Sequence, residues 1–124
     1  YSTLYHTVSD VTGRVPEGTG IGDMVKAMFP GGSITGAPKR ACMEAIDSLE
    51  DSRRGLYTGS IGLFSMKRTT MNIAIRTLVE SDGVFEFGIG GGITYRSDAG
   101  SECSETIQKG KAMMRALGGG DGAR

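Results

Sequence analysis

Tryptophan is absent from this chain of 124 residues, histidine occurs once, cysteine twice and proline three times. Each shortage excludes something. One histidine and two cysteines, with no CxxC and no Cys/His cluster, give no zinc pattern. Cys42 and Cys103 fall in helix-like segments, where buried thiols are expected rather than a disulfide. No apolar run approaches the roughly 20 residues of a membrane-spanning helix. The start Tyr1-Ser2-Thr3-Leu4 lacks the charged and apolar regions of a secretory signal. Neither sign of charge dominates, since 14 basic and 14 acidic side chains balance. That removes the positive footprint of a nucleic-acid or anionic-membrane binder. The chain reads as soluble and cytoplasmic, with neither nucleic acid nor membrane as a partner.

What is plentiful is glycine, 21 residues of it. The glycines gather in turns and in two patches without a period, so collagen-like and low-complexity readings fail. A hydrophobic content of 38% is enough to build a core in one ordinary domain's worth of chain. The first residue is not methionine and already lies in a strand-like stretch, while Gly118 to Arg124 reads as a flexible tail. Both features suggest a piece of something longer.

Tyr1 to Val11 is rich in β-branched and aromatic residues and predicts a strand, followed by a loop over Pro16–Gly20. Ile21, Met24, Val25 and Met28 recur at helical spacing and predict a buried face, with Pro30-Gly31 stopping the helix. A second helix is expected from Pro38 to Leu49, with Cys42, Ala45, Ile46 and Leu49 as its core stripe. Three strands follow over 57–66, 70–79 and 84–94, the last two joined by Ser81-Asp82-Gly83, a hairpin signal. Alternation sets Met71, Ile73, Ile75 and Val79 on one face and Asn72, Ala74, Arg76 and Leu78 on the other. A last helix covers Ala99–Leu117, with Cys103, Ile107, Met114 and Leu117 as its packing stripe. These elements together predict an α+β protein in which antiparallel strands are covered by helices.

Two local patterns carry chemistry. Pro30-Gly31-Gly32-Ser33-Ile34-Thr35-Gly36-Ala37-Pro38-Lys39 is a glycine-rich turn running into a helix, with Pro38 suited to the first helical position. Its backbone N–H groups and the positive end of the helix dipole suit a carboxylate; equally, the run can be only a turn and a helix start. In the last helix Glu102, Glu105 and Lys109 stand at i, i+3 and i+7, within about 60° of one another on the cylinder. The plain account is a favourable dipole interaction plus an ion pair between Glu105 and Lys109. The functional one is a Mg²⁺ site, because this ion takes few carboxylates and keeps several waters.

The run at 30–39 resembles the segment near the C-terminus of chorismate-utilising enzymes, in the form most similar to the aminodeoxychorismate synthase component I branch. Further stretches fall in that family's order: Tyr5-His6-Thr7-Val8-Ser9 with Val11-Thr12-Gly13, Gly55-Leu56-Tyr57-Thr58-Gly59, Ile73-Ala74-Ile75-Arg76-Thr77, Gly88-Ile89-Gly90-Gly91-Gly92-Ile93, and Glu102-Cys103-Ser104-Glu105-Thr106 with Lys109. The resemblance covers residues 1–117, implying the C-terminal part of a chorismate-binding domain of the anthranilate synthase component I-like fold, with 118–124 as tail. It implies that Glu102 and Glu105 belong to a Mg²⁺ site facing the ring carboxylate of chorismate. Ser33, Tyr57, Arg76 and Lys109, with the backbone at Gly90 and Gly92, would surround the substrate. Arg76 and Tyr57 would hold the enolpyruvyl carboxylate, and His6 would act near the ring carbon that loses its hydroxyl. From the residues alone, Arg76 can equally be a strand-edge charge, Tyr57 a half-buried core residue, Gly90–Gly92 a bulge or strand end, and His6 structural.

The implied reaction replaces the 4-hydroxyl of chorismate with an amino group from ammonia, giving 4-amino-4-deoxychorismate for p-aminobenzoate and folate synthesis. A glutamine amidotransferase subunit would supply the ammonia. Within the family the alternative is anthranilate synthase component I, whose matching run more often carries Ala and Thr at the positions of Gly32 and Ser33. Outside it, the alternative is a non-catalytic module binding an acidic ligand in its glycine nests. Cys103 stands where the family usually has an aromatic residue, and Arg96 where it has an acidic one. A second glutamate pair and a Pro-Ile-Lys-Gly-Thr-like segment with its reactive lysine are not found in these 124 residues. The isolated chain is therefore expected to be inactive and, with strand edges open, to self-associate.

Overall fold

The computed structural model describes residues 8–118. Helix α1 spans Ile21–Met28; the Asp23 carboxylate accepts the Gly20 N–H at 3.1 Å, closing its first turn. It ends where Phe29 N–H bonds the Val25 carbonyl, one residue before a proline that has no N–H to offer. A single helical turn, α2, occupies Gly32–Thr35, and α3 runs over Lys39–Leu49 with Pro38 at its N-cap rather than inside the helix. The longest helix, α4, spans Ala99–Ala116. Its cap is Asp98, whose carboxylate accepts both the Ser101 N–H and the Ser101 hydroxyl at 2.9 Å.

Strands β1 (Ser60–Phe64) and β2 (Thr69–Ile73) pair antiparallel, with Ser60 opposite Ile73 and Phe64 opposite Thr69. Strands β3 (Val79–Ser81) and β4 (Val84–Glu86) form a second antiparallel pair around Asp82-Gly83. Both turn residues have positive φ, 52° and 79°, the geometry that matches the twist of a two-residue hairpin. The chain is therefore α+β, built of antiparallel strands and helices.

The strands are shorter than alternation predicts. The 70–79 run breaks after Ile73 because Ile75 N–H bonds back to the Ile73 carbonyl and Arg76 adopts φ 50°, outside the β region. The 84–94 run leaves its ladder after Glu86, and residues 8–11 of the expected first strand are not in a strand. The rest of that strand, residues 1–7, lies outside the described residues, as does the tail beyond Gly118.

Burial also departs from the helical stripes. Among the described apolar side chains only Ala74 and Met113 are buried, whereas Met28, Leu49, Leu63 and Ile107 are exposed. The spacing is helical, and α2 lies against the Cys42 end of the α3 stripe, but Ile21, Met28 and Leu49 are left exposed, so periodicity marks a face prepared for more cover than it has. Cys103 is exposed, not buried, and Cys42 is half-buried; both are free thiols. No described helix is long and apolar enough to cross a membrane.

Candidate active site

The second glycine patch sets the geometry. Residues 87–91 lie along α4: a side chain at Gly110, a buried position, would meet Ile89 Cδ1 at 3.3 Å and Phe87 Cε2 at 3.8 Å. Glycine there lets backbone and helix approach closely. One step further, a Cβ on Gly91 would lie 3.1 Å from Glu102 Oε2, 3.7 Å from Thr106 Oγ1 and 3.8 Å from Lys109 Nζ. On the other side, a Cβ on Gly88 would stand 2.1 Å from Tyr57 Cγ, and one on Gly90 would stand 2.7 Å from the Tyr57 hydroxyl. The Gly88–Gly91 segment thus runs between the ring of Tyr57 and the acidic row of α4.

On α4, Lys109 Nζ pairs with Glu105 Oε1 at 2.7 Å and donates to the Gly90 carbonyl at 3.4 Å. Glu102 is half-buried, and its Oε1 accepts the hydroxyl of Ser97. Ser97 is fixed in turn by a tight turn in which its N–H bonds Thr94 O at 3.0 Å and its Oγ accepts Thr94 N–H at 3.1 Å. Arg96, in the same turn, lies over the Tyr95 ring and donates to its hydroxyl. The plain ion-pair account of Glu105 and Lys109 is visible, yet Glu105 is 60% exposed, and such a surface pair contributes at most about 1 kcal/mol. A stronger cation or an anionic ligand can exchange partners with it at small cost.

Tyr57 sits in a turn closed by Tyr57 N–H to Arg54 O at 3.1 Å and Gly59 N–H to Leu56 O at 2.9 Å. The guanidinium of Arg54 lies over its ring, 5.8 Å from the centroid, and is gripped by Glu50. The hydrogen bond to Arg54 holds the Glu50 carboxyl below its usual range, and the same bond raises Arg54 above its own. An open cleft of about 900 Å³ runs beside Tyr57 between residues 50–56 and 85–89; Arg76, Glu102 and Glu105 do not line it.

The residues singled out in the sequence are placed unevenly. Tyr57, Gly90, Glu102, Glu105 and Lys109 come together around the glycine segment. Ser33 is exposed in α2, and Arg76 is exposed just past β2; neither makes a side-chain hydrogen bond or ion pair with a described residue. A Cβ on Gly92 would meet nothing within 4 Å. His6 lies outside the described residues. The run at 30–39 is not an open nest throughout: the N–H groups of Ile34, Thr35 and Gly36 bond back to Gly31 and Gly32. Gly88 and Gly91 fall in the glycine motif read from the sequence but were not assigned a part in the site; Ser97 and Arg54 escaped the sequence reading, and only the i, i+4 acid–base spacing of Glu50 and Arg54 offered a signal for the latter.

A magnesium ion can be tested against the donors. No group of three His, Cys, Asp or Glu side chains that could cage a metal exists among the described residues. Two carboxylates one turn apart, one of them oriented by the Ser97 hydroxyl, suit an ion that takes one or two carboxylates and retains waters. The pair fits as part of such a donor set.

Residues 1–115 match the chorismate binding enzyme family. Over 118 residues the chain is 48% identical to an anthranilate synthase component 1 of Haloarcula marismortui, covering 94% of this chain and 24% of that protein. It is 45% identical to the aminodeoxychorismate synthase component 1 of Bacillus subtilis, again over 94% of this chain and 25% of the relative. The aminodeoxychorismate synthase of Streptomyces griseus is 43% identical, with 16% of its length covered. The chain thus spans a quarter or less of these relatives. Matched over nearly all its residues, it belongs to the chorismate binding enzyme family.

Proposed function

We propose that the complete gene product aminates chorismate, with this chain supplying one wall of the active site. The observation that carries the reading is the Gly88–Gly91 backbone held between Tyr57 and the Glu102/Glu105/Lys109 face of α4. Glycines there admit a ligand against the main chain, a hydroxyl stands at one side, and carboxylates and an ammonium stand at the other. A substrate with two carboxylates suits that mixture. In this reading Arg76 offers a planar fork to the enolpyruvyl carboxylate, and the Tyr57 hydroxyl donates to the same group. Lys109, the backbone at Gly90 and Gly92, and Ser33 line the rest, with His6 near the departing hydroxyl.

Glu102 and Glu105 would hold Mg²⁺ together with waters, and when bound the ion supplies neutralisation of one carboxylate and polarisation of the ring. The amination itself balances simply: the nitrogen of ammonia bonds to C4, and the C4 hydroxyl leaves as water. The ammonia would come from a glutamine amidotransferase subunit, and the product, 4-amino-4-deoxychorismate, leads to p-aminobenzoate and folate.

Anthranilate formation is the second reading, favoured by the 48% identity to a protein of that name. Incubating the complete gene product with chorismate, Mg²⁺ and ammonium, and resolving the products by liquid chromatography with mass detection, separates the two. A product carrying the amino group at C4 with the enolpyruvyl side chain retained supports the proposal. Anthranilate with release of pyruvate supports the second reading. Unconsumed chorismate, with the ligand nevertheless bound in calorimetry, leaves a binding module and overturns both.

A further inference from the structure

Tyr57 is held by more than its own turn. Its turn is short, closed by two backbone hydrogen bonds, and the next residue, Thr58, adopts φ 64°, unfavourable for a β-branched side chain. Such a turn needs outside support. The contacts of Arg54 supply it: its fork is bound to both oxygens of Glu50, Nη1 donates to Thr58 Oγ1 at 3.4 Å, and its Cζ lies over the Tyr57 ring, 5.8 Å from the centroid. Glu50 is itself the C-cap of α3, where its N–H bonds the Ile46 carbonyl. A line of contacts therefore runs from the end of a helix, through a charge pair, to an aromatic ring lying on glycine.

We propose that Arg54 is a positioning residue for Tyr57, clamping the ring between the guanidinium held by Glu50 and the Gly88–Gly90 backbone so that its hydroxyl is aimed at the substrate carboxylate. The proposal rests on the reading of Tyr57 as a substrate-binding residue. Lysine could not serve, because a point charge has neither the second donor for Glu50 nor the plane for the ring. The pair is only partly shielded, 27% exposed at Arg54 and 40% at Glu50, so its contribution to global stability is small. That separates positioning from folding.

Chorismate kinetics of the complete gene product test it, with thermal unfolding measured beside them. Arg54→Met, which keeps the stem and loses the fork, should raise KM about tenfold, the scale of one lost charge-assisted hydrogen bond at the substrate, with kcat within about threefold and Tm nearly unmoved. Arg54→Lys should not rescue. Tyr57→Phe should raise KM as well, and the double variant Arg54→Met/Tyr57→Phe should be no worse than Tyr57→Phe alone, since a misaimed ring without its hydroxyl has nothing left to lose. If Tyr57→Phe is impaired while Arg54→Met keeps a normal KM, or if the two effects multiply in the double variant, Arg54 does not act through Tyr57 and the proposal is overturned. Normal kinetics in Tyr57→Phe would overturn the Tyr57 assignment itself. Should Arg54→Met fail to fold, Glu50→Gln, which keeps shape and weakens the grip, decides: a severalfold rise in KM supports the clamp, and an unchanged KM refutes it.

Discussion

Adding one methyl group at Gly88 should disturb chorismate binding more than folding. An alanine Cβ there would fall 2.1 Å from Tyr57 Cγ, 2.3 Å from Cδ1 and 2.6 Å from Cδ2. Carbon atoms in contact prefer about 3.5–4.0 Å, so the ring or the glycine segment must retreat by roughly 1.4 Å. Neither is free to do so without loss: the ring is covered by Arg54, and the following residue, Ile89, packs on α4 at Gly110. Overpacking of this kind costs about 1–3 kcal/mol in stability. A displacement near 1 Å at a substrate-positioning group can cost about a hundredfold in catalytic efficiency. In the complete gene product, Gly88→Ala should therefore lower kcat/KM for chorismate by one to two orders of magnitude, with a Tm fall of a few degrees. Gly22→Ala serves as the control. It lies inside α1 with nothing within 4 Å of the new methyl, and should leave kinetics alone while gaining about 0.5–1 kcal/mol. Unchanged KM and Tm in Gly88→Ala would mean that Tyr57 does not rest on this backbone, and the site as drawn would fail.

Three other outcomes are expected. Glu105→Gln in the complete gene product removes one negative charge at constant size and should reduce Mg²⁺-dependent turnover by orders of magnitude; near-normal turnover with unaltered Mg²⁺ dependence would return Glu105 to its ion pair with Lys109. Arg76→Lys should weaken chorismate use about tenfold or more with little change in Tm, since the fork is lost and the charge is kept; unfolding without a kinetic change would make Arg76 structural. At Asp98 the hydrogen bonds from the Ser101 N–H and hydroxyl hold the carboxyl below its ordinary range. Its stabilising contribution is therefore present above roughly pH 4, the unfolded value, and is lost as pH falls through the depressed folded value. The stability gap between wild type and Asp98→Asn should be present at pH 7 and close in acid, as followed by far-UV circular dichroism during urea titration. A gap independent of pH would rule out this titration.

Helix ends were legible in the sequence because their signals are local. Pro30 after Met28 and Pro38 before Lys39 mark boundaries within a residue or so of those observed, and the last helix starts at Ala99 as expected. The Asp82-Gly83 hairpin was legible for the same reason. Strand ends were not: nothing in Ala74-Ile75-Arg76 announces that Arg76 will take a left-handed conformation, and β-branched composition alone carries the prediction straight through the break. Apolar stripes on α1 and α3 were read correctly as periodicity and wrongly as burial, because burial depends on what lies opposite. At the site, helical spacing placed Glu105 and Lys109 on one face, as found. The parts played by Gly88 and Gly91 depend on close approach between segments far apart in the chain, which one-dimensional spacing does not encode.

Ala74, completely buried, is where two distant parts of the chain are fastened: its N–H bonds Gly59 O at 3.0 Å and its carbonyl accepts the Thr58 N–H at 2.9 Å. Tyr57 lies one residue before Thr58 and Arg76 two residues beyond Ala74, so both side chains proposed to grip one carboxylate hang from a single two-bond fastening. The spacing of their backbones is thus set by amide hydrogen bonds, on which side-chain contacts then aim the ring. Those protons form a built-in recorder: in hydrogen–deuterium exchange the Thr58 and Ala74 amides should open together, and an anion spanning Tyr57 and Arg76 should slow both by the same factor.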